Sequence, residues 1–268
     1  MKAETKHQVA RYYNLKFYGA KITFEVSPLD AEDLETALDV INSLNTNSLV
    51  LDGGCGSGRM CLPCARAKVE IVGIDLSKNS IKTAHGRAKI SNMPNLAFII
   101  ADLEHLPFRS KVFGATLLFG VLEYVHDPRR ILLECNRTLR EHGKIVFNVW
   151  NRIGIIFRVF QPFYRILKSY RTEIQNLLFA FSPHEIRRSV SLAGFKIEKL
   201  NGYKLCSAKT YVLLGLPFFK AIGKRLDVCL TILCKNMESS YFGPYICSNL
   251  LIVGEKIDDA SADCSISR

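Results

Sequence analysis

The sequence predicts an α/β fold built on a doubly wound, mostly parallel sheet of seven strands. Short apolar strand patterns alternate with helix patterns along residues 30–150, as parallel strands and their crossover helices do. The strand segments are near-continuous apolar runs, such as LAFIIAD at 96–102, which is expected where helices cover both faces of a sheet. The first strand also runs directly into a turn with glycines at 54, 56 and 58. Composition agrees: 48% hydrophobic and 23% charged residues exclude a wholly disordered chain, and 268 residues can bury a core without disulfides.

Residues 1–29 are polar and aromatic, with His7, Arg11, Tyr12, Tyr13, Phe17, Tyr18 and Phe24, so 1–44 read as an N-terminal lid and helix. The helix covers 30–44, with Leu34, Leu38 and Ile41 on one face. A buried strand at 48–52 leads into a helix at 57–68. The second strand, 69–75, is followed by a helix at 77–90 with Ser77 as its N-cap. Strands follow at 96–102 and 112–120, then a helix at 127–140 and a fifth strand at 143–150, closing a central unit over 45–150. The rhythm breaks at an insertion, 151–182. Pro183 suits the first position of a helix that runs to 193, and Gly194 ends it. A sixth strand at 195–203, a second insertion at 208–243, a last strand at 246–255 and a frayed polar tail at 256–268 complete the chain. The whole of 1–268 reads as one domain, with the two insertions as an α-helical cap.

Lys and Arg number 36 against 25 Asp and Glu, a net charge of +11. The excess is uneven: residues 152–225 hold 14 basic and three acidic side chains among many Phe, Tyr, Leu and Ile. A basic apolar surface suits anionic membrane headgroups, whereas a basic polar one suits nucleic acid. Within the first insertion Ile156, Phe160, Phe163 and Leu167 share a helical face, with Arg158 and Arg165 opposite and Pro162 as a kink. Within the second, 211–219 lies beside Lys220, Lys224 and Arg225. Either a folded cap with a solvated basic face or an apolar pocket that touches a membrane surface fits this pattern. No apolar run is long enough to span a bilayer. Nine cysteines, an odd number, and no apolar leader after Met1 predict reduced thiols and a cytoplasmic location. Cys61 and Cys64 have the spacing of half a metal site without a second half, so buried thiols and no metal are expected.

Chemistry concentrates at the strand ends. In LDGGCGSGR, 51–59, a strand closes on Asp52 and the chain turns through Gly54, Cys55, Gly56 and Gly58. Glycine lets a ligand lie against the backbone, and the following helix start aims N–H groups at it. The spacing departs from the dinucleotide fingerprint, because Arg59 stands where the third glycine belongs. Asp75, followed by Leu76, ends the second strand, where a carboxylate can accept both hydroxyls of a ribose. Asp102 and Leu103 open DLEHLPF after the third strand, and Phe119 and Gly120 open FGVLEYVHDP after the fourth.

This ordered set resembles class I S-adenosylmethionine-dependent methyltransferases, in particular the ubiquinone/menaquinone-type (type 11) subfamily, over roughly residues 45–203. The resemblance implies a Rossmann-like fold whose last strand runs antiparallel beside the sixth. It implies methyl transfer from S-adenosyl-L-methionine, with Asp52, Gly54, Cys55, Gly56 and Gly58 cradling the cofactor, Asp75 and Leu76 at the ribose, Asp102 and Leu103 at the adenine, and Phe119 and Gly120 beside the methionine. The chain departs from the pattern at Tyr124, where many relatives have His, and at Glu141-His142-Gly143, where a Pro-Gly-Gly turn is usual. His126 is the candidate general base; the alternative is a loop histidine capping the helix that begins near 127. Tyr12 and Tyr13 either close over the cofactor or pack the N-terminal segment. Both insertions start at the carboxyl edge of the sheet and so should roof the acceptor. The expected acceptor is a small or lipid-like molecule, such as a quinone or isoprenoid, with peripheral contact to an anionic membrane at its inner face. An [Asn/Asp]-Pro-Pro-aromatic segment is absent after the fourth strand, where LFGV stands, which argues against nucleic-acid bases. The competing readings are a nucleic-acid or protein methyltransferase, and a non-catalytic cofactor-binding subunit. No feature of the sequence sets an oligomeric state.

Overall fold

The computed structural model describes residues 3–16, 31–45, 47–67, 69–154, 179–203 and 243–257. The apolar and basic faces expected at 156–167 and 211–225, nearly all of both insertions, and the tail beyond 257 lie outside these residues. Among the described residues seven strands occur: β1 (Leu49–Gly53), β2 (Glu70–Asp75), β3 (Leu96–Ile100), β4 (Phe113–Leu118), β5 (Leu139–Trp150), β6 (Phe195–Tyr203) and β7 (Asn249–Lys256). They form one sheet in the order β3-β2-β1-β4-β5-β7-β6. Only β7 is antiparallel to its neighbours, β5 and β6, as the sequence resemblance implied. The helices are α1 (Ala3–Lys16), α2 (Ala31–Asn42), α3 (Cys61–Cys64), α4 (Lys78–Ile90), α5 (Arg129–Thr138), α6 (Pro183–Leu192) and α7 (Gly243–Ile246).

Period-two alternation within apolar strands explains the two-sided core. Val50 faces the layer of α2, α3 and α4 and packs with Ile71, Leu117, Ala37 and Ile41. Its neighbour Leu51 faces α5 and α6 and packs with Leu118, Phe147, Leu132 and Ile186. Full burial of each such side chain stabilises the fold by roughly 1.5–3 kcal/mol. Ser77 caps α4 by accepting from Ser80 N–H at 3.1 Å. Ser182 and Glu185 cap α6 reciprocally, with Pro183 in its first turn.

Four boundaries differ from expectation. The helix expected at 57–68 is only the four-residue α3 followed by a 3-10 turn at Ala65–Ala67, because the glycine turn continues to Met60. The expected lid segment contains a regular helix, α1, which its scattered apolar residues did not announce. Strand β5 begins at Leu139 rather than 143: the fully buried Leu139 pairs with Phe113, and Thr138 turns its hydroxyl back to Glu134 O at 3.0 Å to end α5. The residues Glu141-His142-Gly143 therefore sit within the strand as an irregularity, His142 taking φ 58. At the last strand, Gly243–Ile246 coils into α7 before β7 starts.

Candidate active site

Parallel register brings the carboxyl ends of β1, β2 and β4 together: Asp52 lies opposite Gly73 and Leu117, and Asp75 opposite Ile100 of β3. Connections leave β1 and β4 in opposite directions along the sheet, so a crevice opens between them, the place where such sheets take ligands. The backbone at its floor admits little else. A Cβ on Gly54, which holds φ +69, would come within 2.4 Å of Val121 Cγ2. At Gly56, φ +55, an added Cβ would meet nothing within 4 Å. Gly54 is thus fixed by packing, while Gly56 faces open space over the turn.

Asp52 is 2% exposed and accepts a hydrogen bond from the Cys61 thiol at 3.0 Å. Burial pushes its carboxyl up to about 6, against the lowering influence of Cys61 and Arg59. Burial likewise pushes the Cys61 thiol well up and the Cys64 thiol to about 12, so both stay protonated at neutral pH. Asp75 binds the two turns together: its Oδ2 accepts from Gly56 N–H at 2.9 Å and its Oδ1 from Ser77 N–H at 2.7 Å. Cys55 N–H donates to Ile74 O at 2.9 Å in the same joint. Burial raises the Asp75 carboxyl more than those two N–H groups lower it. Leu76, partly buried, follows it at the cleft edge.

After β3, Asp102 Oδ1 accepts from Glu104 N–H at 3.0 Å and its Oδ2 from Lys6 Nζ at 2.5 Å. Burial alone would raise this carboxyl, but Lys6 and the Glu104 N–H hold it below its ordinary value. Leu103 packs over Gly53, where an added Cβ would meet its Cδ2 at 2.6 Å. After β4, Phe119 is buried and Gly120, φ +73, donates its N–H to Asn148 Oδ1 at 2.9 Å. Asn148 in turn donates to Asp33 Oδ2 at 3.0 Å and to the Tyr203 hydroxyl at 2.8 Å, all three side chains being buried. This network supports the turn at Gly120 from below. Sequence reading missed it, although a lone Asn in the apolar run IVFNVW was its signal.

His126 is exposed, its ring set edge-on to Phe179 with centroids 5.2 Å apart. Pro128 stands at the N-cap of α5, and it is Asp127, not His126, that bonds the helix start, its Oδ1 accepting from Arg129 N–H at 3.1 Å. Tyr13 places its hydroxyl 2.9 Å from that of Tyr124, and Tyr12 lies edge-on to Tyr13. Lys6 and Asn14 also reach the cleft margin, and no periodicity pointed to either. Among the described residues no group of three or more His, Cys, Asp or Glu side chains is placed to hold a metal ion. Nor is any described helix long and apolar enough to cross a membrane.

The arrangement offers backbone N–H groups, carboxylates at three successive strand ends and an apolar flank, the groups an adenosine-bearing ligand requires. Residues 51–147 match the model of the methyltransferase domain family. The ubiquinone biosynthesis O-methyltransferase of Coxiella burnetii is 30% identical over 103 residues, covering 38% of this chain and 44% of that protein. The 2-phytyl-1,4-naphtoquinone methyltransferase of a Nostoc species is 34% identical over 119 residues, covering 42% and 52%. The chain therefore spans about half the length of these curated relatives. Among solved structures, geranyl diphosphate C-methyltransferase from Streptomyces coelicolor A3(2) superposes with a TM-score of 0.63 at 14% identity, covering 96% of this chain and 99% of that one, a likeness of fold. The domain match contains every strand-end residue described above, and over that segment the chain is similar to the class I S-adenosylmethionine-dependent methyltransferases of the type 11 kind.

Proposed function

We propose that this chain transfers the methyl group of S-adenosyl-L-methionine to an apolar small molecule, with quinone-like or other lipid-like acceptors first. One observation carries the cofactor part: Asp52 and Asp75 lie at the ends of β1 and β2, and Asp102 two residues beyond β3, around a turn whose Gly56 leaves open space. In this reading Asp75 takes the ribose hydroxyls, Asp102 with Leu103 the adenine, and Asp52 the ammonium end of the methionine, with Phe119 and Gly120 flanking the reacting methyl. Methyl transfer is a direct displacement: the acceptor atom attacks the methyl carbon, the carbon–sulfur bond breaks, and the thioether S-adenosylhomocysteine leaves. Its chief demand is alignment, which can remove about 7–11 kcal/mol of the barrier in favourable geometry.

His126 is the base proposed to take the acceptor's proton, and its exposure beyond β4 leaves it accessible to one. The acceptor class is supported by the quinone methyltransferases among the relatives and by the basic, apolar stretch 152–225. That stretch supports an insertion cap, within a single-domain chain, that draws the acceptor from an anionic membrane surface. The test is incubation with cofactor carrying a labelled methyl group and a bacterial lipid extract. The expected result is label in one lipid-soluble product heavier by a methylene, lost on substituting Gly56 by Val. Label confined to protein or nucleic acid would overturn the acceptor. Sedimentation with anionic vesicles, weaker at high salt, checks the membrane contact.

A further inference from the structure

Strand β3 stands at one edge of the sheet, and the chain leaving it must pass β2 and β1 to reach β4. Among the described residues, α3, α4 and α5 lie on the crossovers β1–β2, β2–β3 and β4–β5, and no helix lies between β3 and β4. Residues 101–112 make that crossing without regular structure, so their backbone polar groups need partners from elsewhere. Helix α5 supplies them. Arg137 Nη1 donates to Phe108 O at 2.9 Å and Nη2 to Leu106 O at 3.1 Å. Leu106 N–H donates to Glu134 Oε2 at 2.9 Å. The end of the same helix takes Lys111 N–H on Arg137 O at 3.0 Å and Val112 N–H on Thr138 O at 2.8 Å.

The two side chains also hold each other. Arg137 Nε lies 2.8 Å from Glu134 Oε1 and its Nη2 2.9 Å from Glu134 Oε2, a two-point contact. A partly exposed ion pair adds little stability by itself. A planar fork that also grips two carbonyls fixes geometry, which Arg does and Lys cannot. What it grips is the back of the crossover. The front carries Asp102 and Leu103, and Leu103 lies over Gly53 at the crevice floor. Only a short turn, closed by His105 N–H on Asp102 O at 3.1 Å, separates Asp102 from the gripped Leu106. An ionised carboxylate only accepts hydrogen bonds, so in a fixed place it takes the amino group of adenine and repels the carbonyl that hypoxanthine has there. A carboxylate free to shift discriminates less.

We infer, on the reading of Asp102 and Leu103 as the adenine side of the S-adenosylmethionine site, that Glu134 and Arg137 are positioning residues for the base. Clamping the crossover from α5, they set where Asp102 and Leu103 stand, and so how strictly the site prefers adenine to other purines.

The test is the affinity of the full chain for S-adenosylhomocysteine and for its deaminated analogue S-inosylhomocysteine, by calorimetry, with the urea midpoint measured alongside. The wild type should prefer the adenine compound. Arg137→Met should cut that preference roughly tenfold, the scale of one hydrogen bond to a charged group. Arg137→Lys keeps the charge, cannot span both carbonyls, and should cut it by less. It carries the test if Arg137→Met does not fold. Ile41→Ala, in the core away from the crossover, should lower the midpoint and keep the wild-type preference. A merely structural pair would behave as Ile41 does: an unchanged ratio of the two affinities in the folded Arg137 variants overturns the clamp and leaves the cofactor site standing. A wild type that binds S-adenosylhomocysteine no better than its inosine analogue, or binds neither, overturns the adenine side and the clamp with it.

Discussion

Helices α1 and α2 both precede the sheet, yet they keep their places by different means. Helix α2 buries Ala37, Val40 and Ile41 in the core against β4 and β5, while its buried Asp33 joins the Asn148 network. Helix α1 buries no residue from 6 to 15 fully, and its described contacts are the polar ones of Lys6, Tyr13 and Asn14 and the edge-on ring packing of Tyr13 with Tyr12 and Tyr124. The difference separates global from local stability. A helix packed by apolar area leaves only when the domain unfolds, whereas one with few buried contacts can open while the core stands. The same contrast appears in two carboxylates of the cleft. Asp52, enclosed by the core, is pushed up by burial, while Asp102, paired with Lys6 of α1, is drawn down by Lys6 and Glu104 N–H against its own desolvation.

The largest effect should come from breaking the packed partner. Ile41 is 2% exposed, and Ile41→Ala should lower unfolding stability by about 2–5 kcal/mol in denaturant titration. Lys6→Ala/Asn14→Ala, which removes polar contacts of α1, should leave the denaturation midpoint nearly unchanged. An equal loss from both would erase the distinction between the helices.

The next effect follows from Asp52. A carboxyl whose pKa is higher in the folded than in the unfolded chain favours the folded state when protonated. Stability of the ligand-free protein should therefore be greatest below about pH 4 on account of this group, and fall as pH rises through about 6. The span is on the order of 3 kcal/mol. Asp52→Asn should flatten that dependence in urea titrations across this range. It should also remove the rise in S-adenosylhomocysteine affinity expected as the carboxyl ionises. Asp102 has the opposite sign: its stabilisation is present above the unfolded pKa and lost as pH falls through its lowered value. Lys6→Met should bring the Asp102 titration back up, as followed by carboxyl-carbon NMR.

A smaller effect divides the glycines of the first turn. Gly54→Ala must displace Val121 and should destabilise the fold. Gly56→Ala adds only the strain of its positive φ, about 1–2 kcal/mol, and should act mainly on ligand affinity. Thermal melting and calorimetry on the two variants distinguish packing from ligand space. His126→Ala gives the least structural change of all, given its exposure. A fall in turnover of about 10²–10⁴, with the basic limb of the pH profile altered, is expected if it removes the acceptor's proton.

What was legible follows the same division. The sheet was readable because its central strands carry apolar runs, and the glycine turn because glycine and acids near the strand ends recur in order. Helix α2 was readable from Leu34, Leu38 and Ile41 at helical spacing. Helix α1 was not, since its hydrogen bonds reach residues 63 to 111 positions away. Separations of that kind leave no local pattern. Helix α3 was overextended because the helix was expected from Ser57, but the φ of +84 at Gly58 keeps the turn going. The end of α5 was misplaced because Leu139 fits a helix pattern as well as it fits the sheet where it is buried.

Calorimetric titration of the full-length chain with S-adenosylhomocysteine, and separately with NAD, tests the central claim most directly, with Asp75→Ala beside the wild type. The account predicts saturable binding of S-adenosylhomocysteine, none of NAD, and binding weakened by about 1–3 kcal/mol in Asp75→Ala, the worth of hydrogen bonds to a charged group. Tight NAD binding without S-adenosylhomocysteine binding, or S-adenosylhomocysteine affinity indifferent to Asp75, would contradict it.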